Sequence, residues 1–175
     1  MSPQTLEQRL ARKKLGEHRT QILLHDRDDN RLVAAALATQ ARRSLYIASW
    51  DLDPYVYDQP DFVQSVSALA RSSRYADVRI LIRDNGIILK QGHGLVRLYQ
   101  RIPSRVQLRR QVEDMEPMTE AFLVADQDGY LHRRLADRYD GEARFHALRR
   151  ARELVTLFKQ AWEQSLPDPS LRRLT

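Results

Sequence analysis

The feature that most constrains this chain is the run Ser44-Leu-Tyr-Ile-Ala-Ser49, entered from the paired arginines Arg42 and Arg43 and left through Trp50-Asp51-Leu52-Asp53-Pro54. A short apolar run, Leu45 to Ala48, bounded by turn chemistry reads as a strand buried on both faces. Such a strand needs a layer of structure above it and another below. In an open α/β sheet, polar groups just past the carboxyl end of a strand of this kind sit where ligands bind. Ser49, Asp51 and Asp53 stand at that point.

The rest of the chain supplies the layers. Residues 4–15 carry a thin stripe of Leu6, Leu10 and Leu15 and read as a basic arm, separated by Gly16 from a first strand at Ile22–Leu24. Asp28 and Asp29 suit the start of a helix and Arg42 and Arg43 its end, by the macrodipole argument. Leu32, Val33, Ala36 and Leu37 recur between them at helical spacing. A second helix runs from Pro60 to about Ser72, with Phe62, Val66, Leu69 and Ala70 on one face and proline at its first turn. The strand at 78–82 ends in Asp84-Asn85-Gly86, and a helix over 93–102 stops at Pro103. Val106 and Leu108 mark a short strand. Ala121–Ala125 is a further one, and the turn Asp126-Gln-Asp-Gly129 leads by hairpin into Tyr130-Leu131. One long helix over 142–165, with Phe145, Leu148, Val155, Phe158 and Trp162 on a face, closes the chain before Pro167 and Pro169.

Strands alternating with helices argue an α/β fold with a mainly parallel sheet and helices on both faces. The organisation expected is an arm over 1–16, one α/β domain over 17–166 and a tail over 167–175. A chain of 175 residues fits one domain. No apolar run approaches the ~20 residues that span a bilayer. Residues 1–15 lack the apolar core of a secretory signal, and zero cysteines agree with a reducing compartment, so the cytoplasm is expected and a membrane is not. The net charge is +6, and 25 of the 29 basic residues are arginine, the side chain suited to bidentate phosphate and carboxylate recognition. Those charges are uneven: residues 1–44 hold nine basic and five acidic groups, whereas 45–92 hold five and six. The central segment is not a basic groove.

From about Ile22 to Trp162, element order and hydrophobic wording resemble the phospholipase D-like superfamily. The strand Leu45–Ser49, the helix Phe62–Ala70, the strand Val78–Arg83 ending in Asp84, the helix Gly94–Arg101 and the short strand Val106–Arg109 follow in that superfamily's order. The strand ending Phe122-Leu-Val-Ala-Asp126 is similar to the latter half of its His-x-Lys-x4-Asp signature. With Asp126 as the motif aspartate, the nucleophilic histidine falls at Thr119 and the phosphate-binding lysine at Ala121. Neither can do those jobs. Gly129-Tyr-Leu-His132 stands where a Gly-Ser-x-Asn signature is expected. The resemblance thus implies the fold and argues against the activity. It also implies a homodimer, because the superfamily's enzymes usually bring two such domains together.

Other constellations point elsewhere. Asp51-Leu-Asp53 after a strand resembles the opening of haloacid-dehalogenase-like phosphohydrolases, in which Mg²⁺ bridges carboxylates. Pro54-Tyr55 departs from that pattern, and the plainer reading is that both aspartates cap the loop. The five histidines form no metal-like pair, and His93, at a helix start between Gly92 and Gly94, suits a small anion site. Arg109-Arg110 and Arg133-Arg134 could meet phosphate, although acidic residues stand around the same mouth.

The leading expectation is therefore a non-catalytic phospholipase D-like binding or regulatory module for a phosphate-bearing or other anionic ligand. Its ligand-binding residues would be Ser49, Asp51, Asp84, His93, Arg109, Thr119 and Arg133, with no metal and no other cofactor. Nucleic acid is the weaker version of that ligand. The rivals are a phosphodiesterase with a relocated nucleophile, a metal-dependent phosphohydrolase using Asp51 and Asp53, and a protein-interaction domain. If the chain is active, Asp51, Asp53, Asp84 and Asp126 are the catalytic candidates. Thr119 is expected to face Ser49 and Asp51 across the cleft.

Overall fold

The computed structural model describes residues 2–173. Its helices are α1 (Leu6–Leu10), α2 (Arg27–Gln40), α3 (Pro54–Tyr57), α4 (Pro60–Ser72), α5 (Gly86–Gln91), α6 (Gly94–Arg101) and α7 (Leu148–Glu163). Its strands are β1 (Ile22–Leu24), β2 (Ser44–Ser49), β3 (Asp77–Ile82), β4 (Val106–Gln111), β5 (Ala121–Ala125), β6 (Gly129–Arg133), β7 (Gly141–Arg144) and β8 (Ser165–Leu166). They form one eight-stranded sheet in the order β1-β7-β6-β5-β2-β3-β4-β8.

Every residue of β2 is buried, as expected of a central strand with cover on both sides. One side packs Leu45, Ile47, Val78, Ile80 and Leu123 against the helices α2, α4 and α6. The other side packs Tyr46, Ala48, Leu81, Phe122 and Val124 against α7. There Phe158 stacks on Tyr46 at 5.0 Å between ring centroids and on Trp162 at 5.5 Å. Offset aromatic contacts of this kind add to the burial of large apolar area. α2 starts where the Asp26 carboxylate accepts the Asp29 amide at 2.8 Å, and α4 starts on Pro60.

The β2–β3 pair is parallel and joined through α4, as the sequence implies. The sheet as a whole is mixed, however, and the expectation of a mainly parallel sheet is corrected. Only β2–β3 and β3–β4 are parallel among the described residues, whereas five pairings are antiparallel. The cause is local. Asp126 and Gln127 both take φ of 55°, the left-handed geometry of a tight hairpin, so β6 must return antiparallel to β5. β7 then returns along β6 after the loop 134–140.

The long helix expected over 142–165 is also corrected. Residues 141–144 form β7, and α7 begins only at Leu148. Phe145 consequently belongs to the core on the α2–α4 side, not to the α7 face. The basic arm carries α1, whose Leu10 is buried in that same core, and Gln40 bonds the backbone of Lys13 and Leu15. At the other end Leu171 is buried, and the Asp168 carboxylate meets Arg110 at 3.1 Å and Asn85 at 2.7 Å.

Candidate functional site at the carboxyl edge of the central strands

Where β2 and β3 end, the carbonyl of Trp50 accepts the amides of Arg83 and Asp84 at 2.9 and 2.8 Å. The chain then turns sharply. Leu52 has φ 57°, an uncommon conformation for a branched apolar residue, and is fully buried. Two groups hold it there: the Ser49 hydroxyl accepts the Leu52 amide at 3.0 Å, and His93 Nε2 donates to the Leu52 carbonyl at 3.0 Å. Backbone strain that the surroundings over-determine is a common mark of a functional loop.

The turn sets the two aspartates in different roles. Asp53 caps α3 through the Tyr55 amide at 3.0 Å and accepts the Tyr139 hydroxyl at 2.6 Å. Burial, and then that bond, push the Tyr139 phenol up to about 12, so it stays a neutral donor. Asp51 faces a cavity of about 380 Å³ lined with Trp50, Thr119, Leu135, Ala136 and Asp137. Burial raises its pKa, and the neighbouring Asp53 and Asp84 carboxylates raise it further. Thr119 reaches this edge because β5 runs antiparallel to β2, with Ala48 opposite Phe122. Its carbonyl accepts the Ala136 amide at 2.8 Å and so seats the loop 134–140 over the cavity. Trp50 and Leu135 stay 36% and 44% exposed, which leaves an apolar surface beside the polar groups.

Thr119 and Asp51 thus share one cavity, with Ser49 beneath the same turn. Other expected site residues lie elsewhere or are already engaged. His93 is not an open anion site: it is 1% exposed, its Nδ1 accepts the Leu95 amide at 3.1 Å, and burial lowers its pKa. Arg109 lies against α7, donating to the Trp162 carbonyl at 2.9 Å with its guanidinium 4.7 Å from that ring. Arg133, opposite Ala121 in register, is 4% exposed. It donates to the Ala136 carbonyl at 3.1 Å, while its Nε has no partner among the described residues. Asp84 is exposed and caps the Gly86 amide at 2.7 Å.

Asp126 sits at the opposite edge of the sheet, where its carboxylate accepts the amides of Arg42, Arg43 and Ser44. That position removes it from the catalytic candidates. No three histidine or acidic side chains among the described residues are grouped to hold a metal ion, so the Asp51–Asp53 metal reading gains no support from the geometry.

One pairing went unread in the sequence. His132 Nε2 and Glu120 Oε2 lie 2.5 Å apart at this edge, His132 on β6 and Glu120 just ahead of β5. The only signal available was strand register, which brings residues twelve positions apart together.

A family model described as Domain of unknown function (DUF7931) matches residues 26–174. No curated protein matches the sequence. Among solved structures, TrmBL2, an archaeal chromatin protein with a novel mode of DNA binding, is 13% identical with a TM-score of 0.61. That match covers 85% of this chain and 55% of the archaeal one, so the chain spans about half that protein's length. Nuc from Salmonella typhimurium, a phospholipase D family member, is 12% identical over 85% of this chain and 97% of its own, with a TM-score of 0.62. NucT from Helicobacter pylori is 11% identical over 85% and 98%, with a TM-score of 0.58. The shared feature is the fold, which is phospholipase D-like.

Proposed function

The chain belongs to the DUF7931 family, and we propose that it is a non-catalytic binding module on a phospholipase D-like fold, with its ligand in the cavity at the carboxyl edge of β2. One observation carries this reading: Thr119, at the position the resemblance gives to the nucleophilic histidine, lines the cavity beside Asp51, and Ala121 takes the lysine position. The cavity keeps the shape of a site, but its lining holds neither the histidine nor the lysine of the phospholipase D-like signature. Its volume lies within the range of small-molecule sites.

The ligand is phosphate-bearing and carries a planar or apolar part. Trp50 and Leu135 offer a surface for that part, and Asp51 and Asp137 accept hydrogen bonds from its donors. Those two carboxylates disfavour a bare phosphate inside the cavity. The phosphate therefore belongs at the rim, where the exposed Arg134 and Arg138 flank the lining segment Leu135–Asp137. A nucleotide has this combination of groups.

Titration calorimetry with a nucleoside monophosphate, beside an assay for hydrolysis of bis-p-nitrophenyl phosphate, tests the reading. Saturable binding weakened by Arg134→Glu, with no turnover, is expected. A second reading rests on the His132–Glu120 pair, a carboxylate-oriented imidazole at the same edge. Turnover abolished by His132→Asn would overturn the non-catalytic reading in its favour, and turnover abolished by Asp51→Asn would favour metal-assisted chemistry.

A further inference from the structure

The amino end of α7 is built against the helix dipole. Its first turn holds Arg149 and Arg150 with no acidic residue, Arg152 follows, and the cap residue Ala147 has no side chain that could accept a free amide. Cations are disfavoured at that end of a helix, and of the three only Arg149 and Arg150 are paired within it, with Glu153.

Two cavities flank this end and share Leu148. One, of about 530 Å³, opens between α7 and the strands β6 and β7 and is lined with Arg19, Arg144, Arg149 and Arg150. The other, of about 410 Å³, opens towards the start of β2 and is lined with Arg43 and Arg152. Both lie at the edge of the sheet opposite the Asp51–Thr119 cavity. The acids among them are engaged within the fold. Asp126 accepts three backbone amides, Asp77 binds Arg79 and the Tyr46 hydroxyl, and Glu142 accepts from Tyr130 and Gln21. Glu153 pairs with Arg149 and Arg150. Among the described residues, Arg19, Arg43, Arg144 and Arg152 have no carboxylate partner within 4.0 Å. At the outer rim Tyr75 is 77% exposed, with the Arg74 guanidinium 4.8 Å above its ring.

We propose that this edge is a nucleic-acid interaction surface, which takes a phosphodiester backbone along the strip from Arg19 and Arg144, past the start of α7, to Arg152 and Arg43. Guanidinium forks fit phosphate oxygens in pairs, and two cavities that adjoin at Leu148 suit an extended, evenly charged chain. A membrane surface fits less well, because the arginines line concavities. No base is read, so affinity depends on charge and not on sequence. The surface is separate from the cavity of the proposed function, and neither needs the other.

Fluorescence anisotropy of the full chain with a labelled DNA duplex of ~20 base pairs tests this. With about four phosphates engaged, raising salt from 50 to 200 mM is expected to weaken binding roughly 100-fold. The double variant Arg144→Glu, Arg152→Glu should lose at least about 10-fold in affinity. Arg71→Glu with Arg101→Glu, the same charge change on exposed positions of α4 and α6, should stay within about 2-fold. Matching circular dichroism melts establish that both variants fold. No binding at 50 mM salt, equal losses in the two double variants, or capture by phosphatidylserine vesicles but not by DNA would each overturn the proposal.

Discussion

Asp126 gives the sharpest structural prediction, because one carboxylate ties the end of β5 to the start of β2. It accepts the amides of Arg42 at 3.0 Å, Arg43 at 2.7 Å and Ser44 at 3.1 Å, while its own amide donates to the Ser44 carbonyl at 2.9 Å. The residue also holds φ of 55°, a conformation that aspartate and asparagine adopt more readily than alanine. Asp126→Ala leaves three amides without their acceptor. The site is only part-buried and water replaces some of the loss, so each bond is taken at about 1 kcal/mol. The left-handed backbone adds about 1 kcal/mol for alanine. The expected loss is about 3–4 kcal/mol, a large share of the roughly 5–15 kcal/mol that holds a domain together. For a chain of this length that lowers the melting temperature by about 10 °C. Asp126→Asn keeps one acceptor oxygen and the backbone tolerance, and should lose about 1–2 kcal/mol. Urea unfolding followed by circular dichroism measures both. An alanine variant within about 1 kcal/mol of the parent, or an asparagine variant less stable than the alanine one, would refute the tie.

The raised pKa of Asp51 means that its ionised form is held at a cost, so Asp51→Asn should raise the urea midpoint at pH 7, by under about 1 kcal/mol because the group is only half-buried. His93 is held below its ordinary 6.5, so the unfolded chain takes up its proton first; stability should fall as pH drops below 6.5, and His93→Gln should flatten that fall in urea unfolding. A methyl group on Gly141 would lie 2.4 Å from the His132 carbonyl oxygen, so Gly141→Ala should cost about 2 kcal/mol or more and lower the melting temperature. Sedimentation at tens of micromolar should give a symmetric dimer, and a 20.5 kDa species would count against the second half-site implied by the resemblance.

The sequence displayed what burial dictates and concealed what register decides. β2, β3 and β5 were legible because strands covered on both faces must be almost wholly apolar, and α4 because one face of it must be. The parallel β2–β3 pair followed from the crossover. β7 was not legible: Gly141-Glu-Ala-Arg144 is half-exposed and carries two charges, so it resembles the first turn of the helix that follows it. Missing it hid two of the five antiparallel pairings, β1–β7 and β6–β7. At the site, Asp51 and Thr119 could be placed together because both adjoin strong strands. Arg109, Arg133 and His93 could not be judged, since a polar residue beside a strand end reads the same whether it faces solvent or bonds an internal carbonyl. The His132–Glu120 contact depends wholly on the β5–β6 register.

One titration reads both ligand binding and the lack of turnover. Bis-p-nitrophenyl phosphate carries a phosphodiester and two planar rings, and its nitrophenyl group quenches nearby tryptophan. Trp50 lines the cavity, whereas Trp162 is 4% exposed in the core. Following tryptophan emission and nitrophenolate release together should give saturable quenching that Trp50→Phe removes, with release at the buffer rate. Release above that rate, abolished by His132→Asn or Asp51→Asn, would contradict the account, as would quenching that Trp50→Phe leaves intact.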